Sequence, residues 1–95
     1  MSITKLSLSN LELTSLSKNI ARFVGLTTLN LSNNGLETLP LEVSKLPALK
    51  SLLLRNNAFR ETLFEPNSAV DPAFFSTLKI DLKGSPLFGL ILWRL

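Results

Sequence analysis

The chain has 95 residues, of which 45% are hydrophobic and 18% are charged, and its formal net charge is +3. This length fits one small domain and excludes a multidomain enzyme. Because the sequence contains no cysteine and no histidine, disulfides, thiolate zinc sites, cysteine nucleophiles and the usual general base are also excluded.

The start of the chain does not have the pattern of a secretory leader. It lacks a basic segment followed by an apolar core. The longest apolar-looking run, 87–93, is shorter than the roughly 20 residues of a membrane-spanning helix. The sequence therefore predicts an intracellular, cytoplasmic protein. The glycosylation triplet Asn30-Leu31-Ser32 would instead favour a secreted protein, but it lies inside a predicted strand.

Leucine accounts for 23 of the 95 residues, and apolar positions recur at an offset of 23. A fixed period of this length is typical of stacked repeats. A third copy runs from Leu49 to Phe59, and the shared pattern is L-x-x-L-x-L-x-x-N-x-L-x-x-L. The offset relates Ile3, Leu6, Leu8, Leu13 and Leu16 to Leu26, Leu29, Leu31, Leu36 and Leu39.

This pattern resembles the leucine-rich repeat family, and segment 26–40 fits it best. The Leu39-Pro40 step and the period are similar to the plain intracellular subclass, whose repeats have 23 residues. The resemblance extends over 1–59 and, less completely, over 77–90. It implies an α/β fold, a short solenoid with a curved parallel sheet on its concave face and helical or irregular returns on its convex face. It also implies a single domain, 1–95, with repeats at about 3–25, 26–48, 49–76 and 77–95.

The spacing of the apolar residues predicts the same architecture on physical grounds. The two leucines of L-x-L share one face of a strand, and their neighbours point the other way. The later pairs, Ile20 with Phe23 and Val43 with Leu46, are spaced as one face of a helical turn. One coil does not enclose its own leucines, whereas stacked coils do, so the strands should form a parallel sheet.

Asparagine marks the bend after the second and third predicted strands. A buried amide has donors and an acceptor for backbone groups that a tight coil leaves unpaired. We therefore predict a structural Asn ladder formed by Asn34 and Asn57. In the first repeat Leu11 holds this position, as expected of a terminal coil that has no preceding coil to bridge.

The period breaks after the third strand, where 60–75 is rich in turn and loop formers. The favoured register for the fourth repeat places Ile80 and Leu82 inward, with Ser85 at the asparagine position. A second register places Phe75, Leu78 and Ile80 inward instead.

The inserted segment also has two interpretations. It is either a recognition loop or a longer return whose phenylalanines pack inward. The second is favoured, because three phenylalanines within 12 residues are seldom left in water. These are Phe64, Phe74 and Phe75.

The side chains that alternate with the inward leucines form the predicted binding surface. The resemblance implies a non-catalytic protein–protein interaction module, a scaffold or adaptor including roles in intracellular signalling, that binds a protein partner through the concave face. Leu53 and Arg55 stand near the middle of this face, and arginine is enriched in interface anchors. The predicted partner-binding residues are Lys5, Ser7, Thr28, Asn30, Ser32, Ser51, Leu53, Arg55, Lys79, Asp81 and Lys83.

Two other classes of function fit the sequence less well. An enzyme would need a recognisable set of reactive groups, and the sequence has no G-x-S-x-G, no S-x-x-K and no glycine-rich phosphate loop. We therefore predict no catalytic residue, no cofactor and no metal. Nucleic-acid binding is not expected, because a charge of +3 is dilute and no aromatic side chain lies on the predicted sheet face.

The last residues, Leu90-Ile91-Leu92-Trp93-Arg94-Leu95, are mostly apolar. They cover only the start of a fourth return, and neither end of the repeats shows the polar cap that stacked coils need. The tail either folds back as a cap, contacts a partner or membrane surface, or is covered by further repeats. In the last case the chain is a fragment or truncated form of a longer leucine-rich repeat protein, such as a regulatory subunit or substrate receptor. We expect the isolated chain to self-associate through this edge.

Overall fold

The computed structural model describes residues 3–60, 62–76 and 78–87. Four short strands form one parallel sheet in chain order. Each strand is centred on an apolar residue of the repeat pattern, with its neighbours on the opposite face. The strands are β1 (Lys5–Ser7), β2 (Thr28–Asn30), β3 (Ser51–Leu53) and β4 (Lys79–Asp81). The fold is the short α/β leucine-rich solenoid that the sequence predicts.

The pairing register of the sheet follows the repeat. Leu6 pairs with Leu29, and Leu29 pairs with Leu52, so both steps keep the offset of 23. Leu52 then pairs with Ile80, which is 28 positions further on. This pairing confirms the favoured register of the fourth strand, in which Leu82 and Leu87 are buried and Ser85 takes the asparagine position.

Where the structure describes them, the segments that return the chain between strands contain three 3₁₀ helices. The first two pack against each other and bury Ile20 and Val43, which belong to the apolar pairs predicted to share a helical face. These helices are only four or five residues long, and 3₁₀ geometry is common at that length. The helices are Lys18–Arg22, Leu41–Lys45 and Pro72–Phe75.

The core is a stack of leucines between the sheet and these helices. Seven central leucines have no exposed surface: Leu26, Leu29, Leu31, Leu36, Leu39, Leu52 and Leu54. The corresponding leucines of the first coil are only partly buried. Within the described part of the chain, the first coil has a neighbouring coil on one side only, whereas the central coils have one on each side.

The inserted segment packs inward through two of its three phenylalanines. Phe64 is buried and forms a parallel bridge with Leu39, and Phe74 is half-buried, with its ring centroid 5.8 Å from that of Phe64. The prediction is wrong for Phe75, which is 43% exposed. Neighbouring residues of a 3₁₀ helix point about 120° apart, so Phe74 and Phe75 do not face the core together.

Candidate functional site

The side chains that alternate with the buried leucines lie on one face of the sheet, which we call the open sheet face. Strand pairing arranges them in rows that cross the sheet. At about 4.8 Å between strands, each row spans about 14 Å. One row contains Lys5, Thr28, Ser51 and Lys79, and the next contains Ser7, Asn30, Leu53 and Asp81.

A third row, just beyond the strands, is only partly on the surface. Arg55 and Lys83 are exposed, but Ser32 is 8% exposed. Its hydroxyl accepts a hydrogen bond from the backbone N–H of Arg55 at 3.2 Å, and its own N–H donates to Oδ1 of Asn30 at 3.0 Å. The assignment of Ser32 to the binding surface is therefore wrong: its hydroxyl joins two neighbouring coils.

An ion pair joins the third and fourth coils on the open sheet face. Nε of Arg55 donates to Oδ2 of Asp81 at 2.5 Å, and the two side chains are 52% and 25% exposed. This hydrogen bond lowers the pKa of Asp81 below its ordinary value of 3.8, although partial burial opposes the shift. The backbone N–H of Lys83 adds to the lowering by donating to Oδ1 at 3.2 Å. Asp81 is therefore ionised at neutral pH and holds Arg55 over the last two strands.

Charge is unevenly distributed between this face and the rest of the described chain. The rows of the open sheet face carry four cations and one carboxylate: Lys5, Arg55, Lys79, Lys83 and Asp81. The other described carboxylates lie outside the rows, at Glu12, Glu37, Glu42, Glu65 and Asp71. The face is consequently basic at neutral pH, and Asp81 offsets only one of its cations.

Asn34 lies beneath the end of the sheet and connects the first two coils. Its Oδ1 accepts from the backbone N–H groups of Leu11 at 3.1 Å and Leu13 at 2.9 Å. Its Nδ2 donates to carbonyl oxygens on both coils, those of Leu8 (3.0 Å), Leu31 (3.0 Å) and Ser32 (3.3 Å). Leu11, which holds the equivalent position in the first coil, is 54% exposed and supplies only its backbone.

Asn57 repeats this arrangement one coil further on and is buried. Its Oδ1 accepts from the N–H of Leu36 at 3.1 Å. Its Nδ2 donates to the carbonyl oxygens of Leu31 (2.9 Å), Leu54 (3.1 Å) and Arg55 (3.4 Å). In the fourth coil Ser85 takes the position, and its shorter hydroxyl bonds only the backbone N–H and carbonyl of Asn57.

A further set of equivalent residues borders the open sheet face, and their backbone conformation was not foreseen from the sequence. Asn10, Asn33, Asn56 and Gly84 all have left-handed backbone, with φ of 59°, 59°, 56° and 84°. Nδ2 of Asn56 donates to Oδ1 of Asn33 at 2.7 Å. A Cβ on Gly84 would lie 2.0 Å from Oδ1 of Asn56. The recurrence of asparagine at an offset of 23 was the available signal, because asparagine tolerates this conformation.

Other kinds of site have little support in the described ranges. No group of three or more Asp or Glu side chains there is arranged to hold a metal ion. None of the helices that the structure describes is long and apolar enough to cross a membrane. A depression of about 270 Å³ lies away from the rows of the open sheet face, lined by Glu37, Thr38, Ala58, Arg60, Thr62 and Pro66.

Comparison with protein families identifies the repeat. Residues 25–46 match the family model described as Leucine Rich Repeat. The chain therefore carries a leucine-rich repeat, and the matched segment includes β2 and the second 3₁₀ helix. Leucine-rich repeats are a general protein–protein interaction module and are typically non-catalytic. Comparison with curated proteins gave no match.

Proposed function

We propose that the chain is a non-catalytic scaffold or adaptor whose protein partner binds the open sheet face. The observation that carries this proposal is the pair Leu53 and Arg55 near the middle of that face. Leu53 is half-buried and Arg55 exposed, and neither side chain belongs to the leucine core. Together they offer apolar area and a charged donor group on a rigid sheet, and arginine is a common anchor of interfaces.

The charges of the face suggest what the partner presents. Four cations and one carboxylate favour a partner surface rich in Asp and Glu, since complementary charge speeds association and selects against wrong partners. Arg55 has N–H groups beyond the Nε that it donates to Asp81. It can therefore bind a partner carboxylate while the ion pair persists.

Affinity capture from a native lysate tests this proposal. Wild type is compared with Arg55→Glu and with Lys45→Glu, a matched charge reversal at an exposed residue of the second 3₁₀ helix. We expect at least one captured protein to be lost with Arg55→Glu, to be retained with Lys45→Glu, and to dissociate as salt is raised. Loss of that protein with Lys45→Glu alone would place the site on the return side.

The Arg55 variant needs a folding control, because a new carboxylate there would face Asp81. Making the change in an Asp81→Asn background removes that repulsion. If the double variant melts like wild type and still fails to capture the protein, the loss reflects binding. If it captures the protein normally, Arg55 is not part of the interface.

A signalling role and a cytoplasmic location belong to the same proposal. A cytoplasmic adaptor should co-fractionate with the proteins it captures through Arg55. Recovery of the chain with secreted material, or with a glycan on Asn30, would contradict the location.

Self-association and membership of a longer repeat protein remain predictions. Both rest on the apolar segment 90–95, which lies outside the described residues. Sedimentation of the purified chain over a range of concentrations tests the first: we expect oligomers, and a monomer with little hydrophobic-dye binding would contradict it. Sequencing transcripts of the parent locus for further repeats tests the second.

A further inference from the structure

Asn34 is followed by Gly35, and this dipeptide is chemically reactive. In a flexible chain the backbone nitrogen of Gly35 loses its proton to solvent base and attacks Cγ of Asn34. A bond forms between N and Cγ, the Cγ–Nδ2 bond breaks, and Nδ2 leaves as ammonia after taking up a proton. Water then opens the cyclic imide to aspartate or isoaspartate. Glycine favours the ring closure because it has no Cβ to obstruct it.

The fold holds both reacting groups away from this reaction. The N–H of Gly35 donates to the carbonyl oxygen of Leu13 at 2.7 Å, which opposes loss of its proton. The amide of Asn34 is fixed by five hydrogen bonds to the backbone of two coils. Ring closure would require most of these bonds to break together.

The products of the reaction do not fit the same place. In the folded chain Nδ2 of Asn34 donates to three carbonyl oxygens. A carboxylate has no proton to donate, and it would set a negative charge against those three oxygens. Isoaspartate would also lengthen the backbone by one methylene at a bend whose geometry the ladder fixes.

We propose that Asn34-Gly35 is a fold-protected deamidation site, inert in the folded chain and reactive whenever the chain unfolds. The modification then prevents the first two coils from restacking. Each unfolding event therefore converts some molecules to a form that does not refold. Deamidation at Asn34 then limits how long the protein stays folded.

The chain supplies two matched controls. Asn57 has the same ladder role but is followed by Ala58, so it should react more slowly once unfolded. Gly35 is not needed for its shape: it lacks left-handed φ, and a Cβ there would meet its nearest atom, the carbonyl oxygen of Leu13, at an ordinary 3.6 Å. Gly35→Ala should therefore keep the fold while slowing ring closure.

The first experiment incubates the wild-type chain at mildly alkaline pH, with and without denaturing urea. Tryptic peptides 23–45 and 56–60 report Asn34 and Asn57 separately, and fragment spectra assign the modified residue. Small domains are unfolded about a thousandth of the time or less, and local opening adds to this fraction. We expect Asn34 to react at least about tenfold faster in urea than in the folded chain, and faster than Asn57 in urea. A smaller ratio, or equal rates for the two asparagines in urea, would overturn the proposal.

The second experiment tests the consequence. After removal of urea, chains converted at Asn34 should fail to recover the native circular dichroism, while unconverted chains recover it. Asn34→Asp should show the same loss, and Gly35→Ala should melt near wild type and resist conversion in urea. The proposal fails if Asn34→Asp folds with the wild-type melting temperature, or if Gly35→Ala converts as fast as wild type.

Discussion

Replacing Asn57 with alanine removes a buried amide that bonds the second and third coils. The N–H of Leu36 loses its acceptor and the carbonyl of Leu54 loses its donor, at 3.1 Å in both cases. A buried polar group left without its partner costs about 1–3 kcal/mol, so these two groups together cost at least about 2 kcal/mol. Native domains are stable by only about 5–15 kcal/mol, so this single change should remove a large share of the stability.

Urea denaturation followed by circular dichroism measures this loss as a change in the free energy of unfolding. The control is the neighbouring residue, Asn56, which is exposed and has φ of 56°. Glycine is the appropriate replacement there, because alanine would be strained by the left-handed backbone. We expect Asn56→Gly to change the free energy of unfolding by less than about 1 kcal/mol.

Equal losses for Asn57→Ala and Asn56→Gly would refute this reasoning, because only one of the two side chains bonds buried backbone. A small loss for Asn57→Ala alone would show that water replaces the amide at the bend. In either case the asparagine ladder would not be what holds the coils together.

Three further substitutions test other parts of the structure. Leu31→Ala, at a fully buried position, should cost about 2–5 kcal/mol in urea denaturation, and near-wild-type stability would contradict its burial. Gly84→Ala should cost at least about 1–2 kcal/mol and lower the melting temperature; Asn56→Gly should restore part of this loss by removing the clashing amide. The pKa of Asp81 is lower in the folded chain, so the unfolded chain binds more protons at acid pH. The ionised Asp81 should therefore stabilise the fold by up to about 1 kcal/mol well above pH 3.8. This stabilisation is lost as the pH falls through the lowered pKa. Asp81→Asn should remove this part of the acid-side decline in melting temperature, and an unchanged decline would contradict the pairing with Arg55.

The sheet was predictable because its determinants are local and periodic. Leucine alternation gives the inward face of each strand, and the offset of 23 gives the register of the first three strands. The position of β4 was also predictable across a crossover of 28 residues, because the favoured register places Leu82 inward and Ser85 at the asparagine position.

The features that were missed depend on how neighbouring coils meet. Ser32 alternates correctly to be exposed, but the chain bends after β2 and turns its hydroxyl toward the next coil. The ion pair of Arg55 and Asp81 joins residues 26 positions apart that stand in different rows. Strand alternation gives the face on which a side chain lies, but it does not give the direction in which a long side chain bends across that face.

Site-specific photo-crosslinking tests most directly whether a partner binds the open sheet face. A photoreactive amino acid is placed at Leu53 in one variant and at Lys45, on the second 3₁₀ helix, in the other, and both are irradiated in native lysate. We predict a discrete protein adduct from position 53 that Arg55→Glu abolishes, and no such adduct from position 45. The same adduct from position 45, with none from position 53, would contradict binding at the open sheet face.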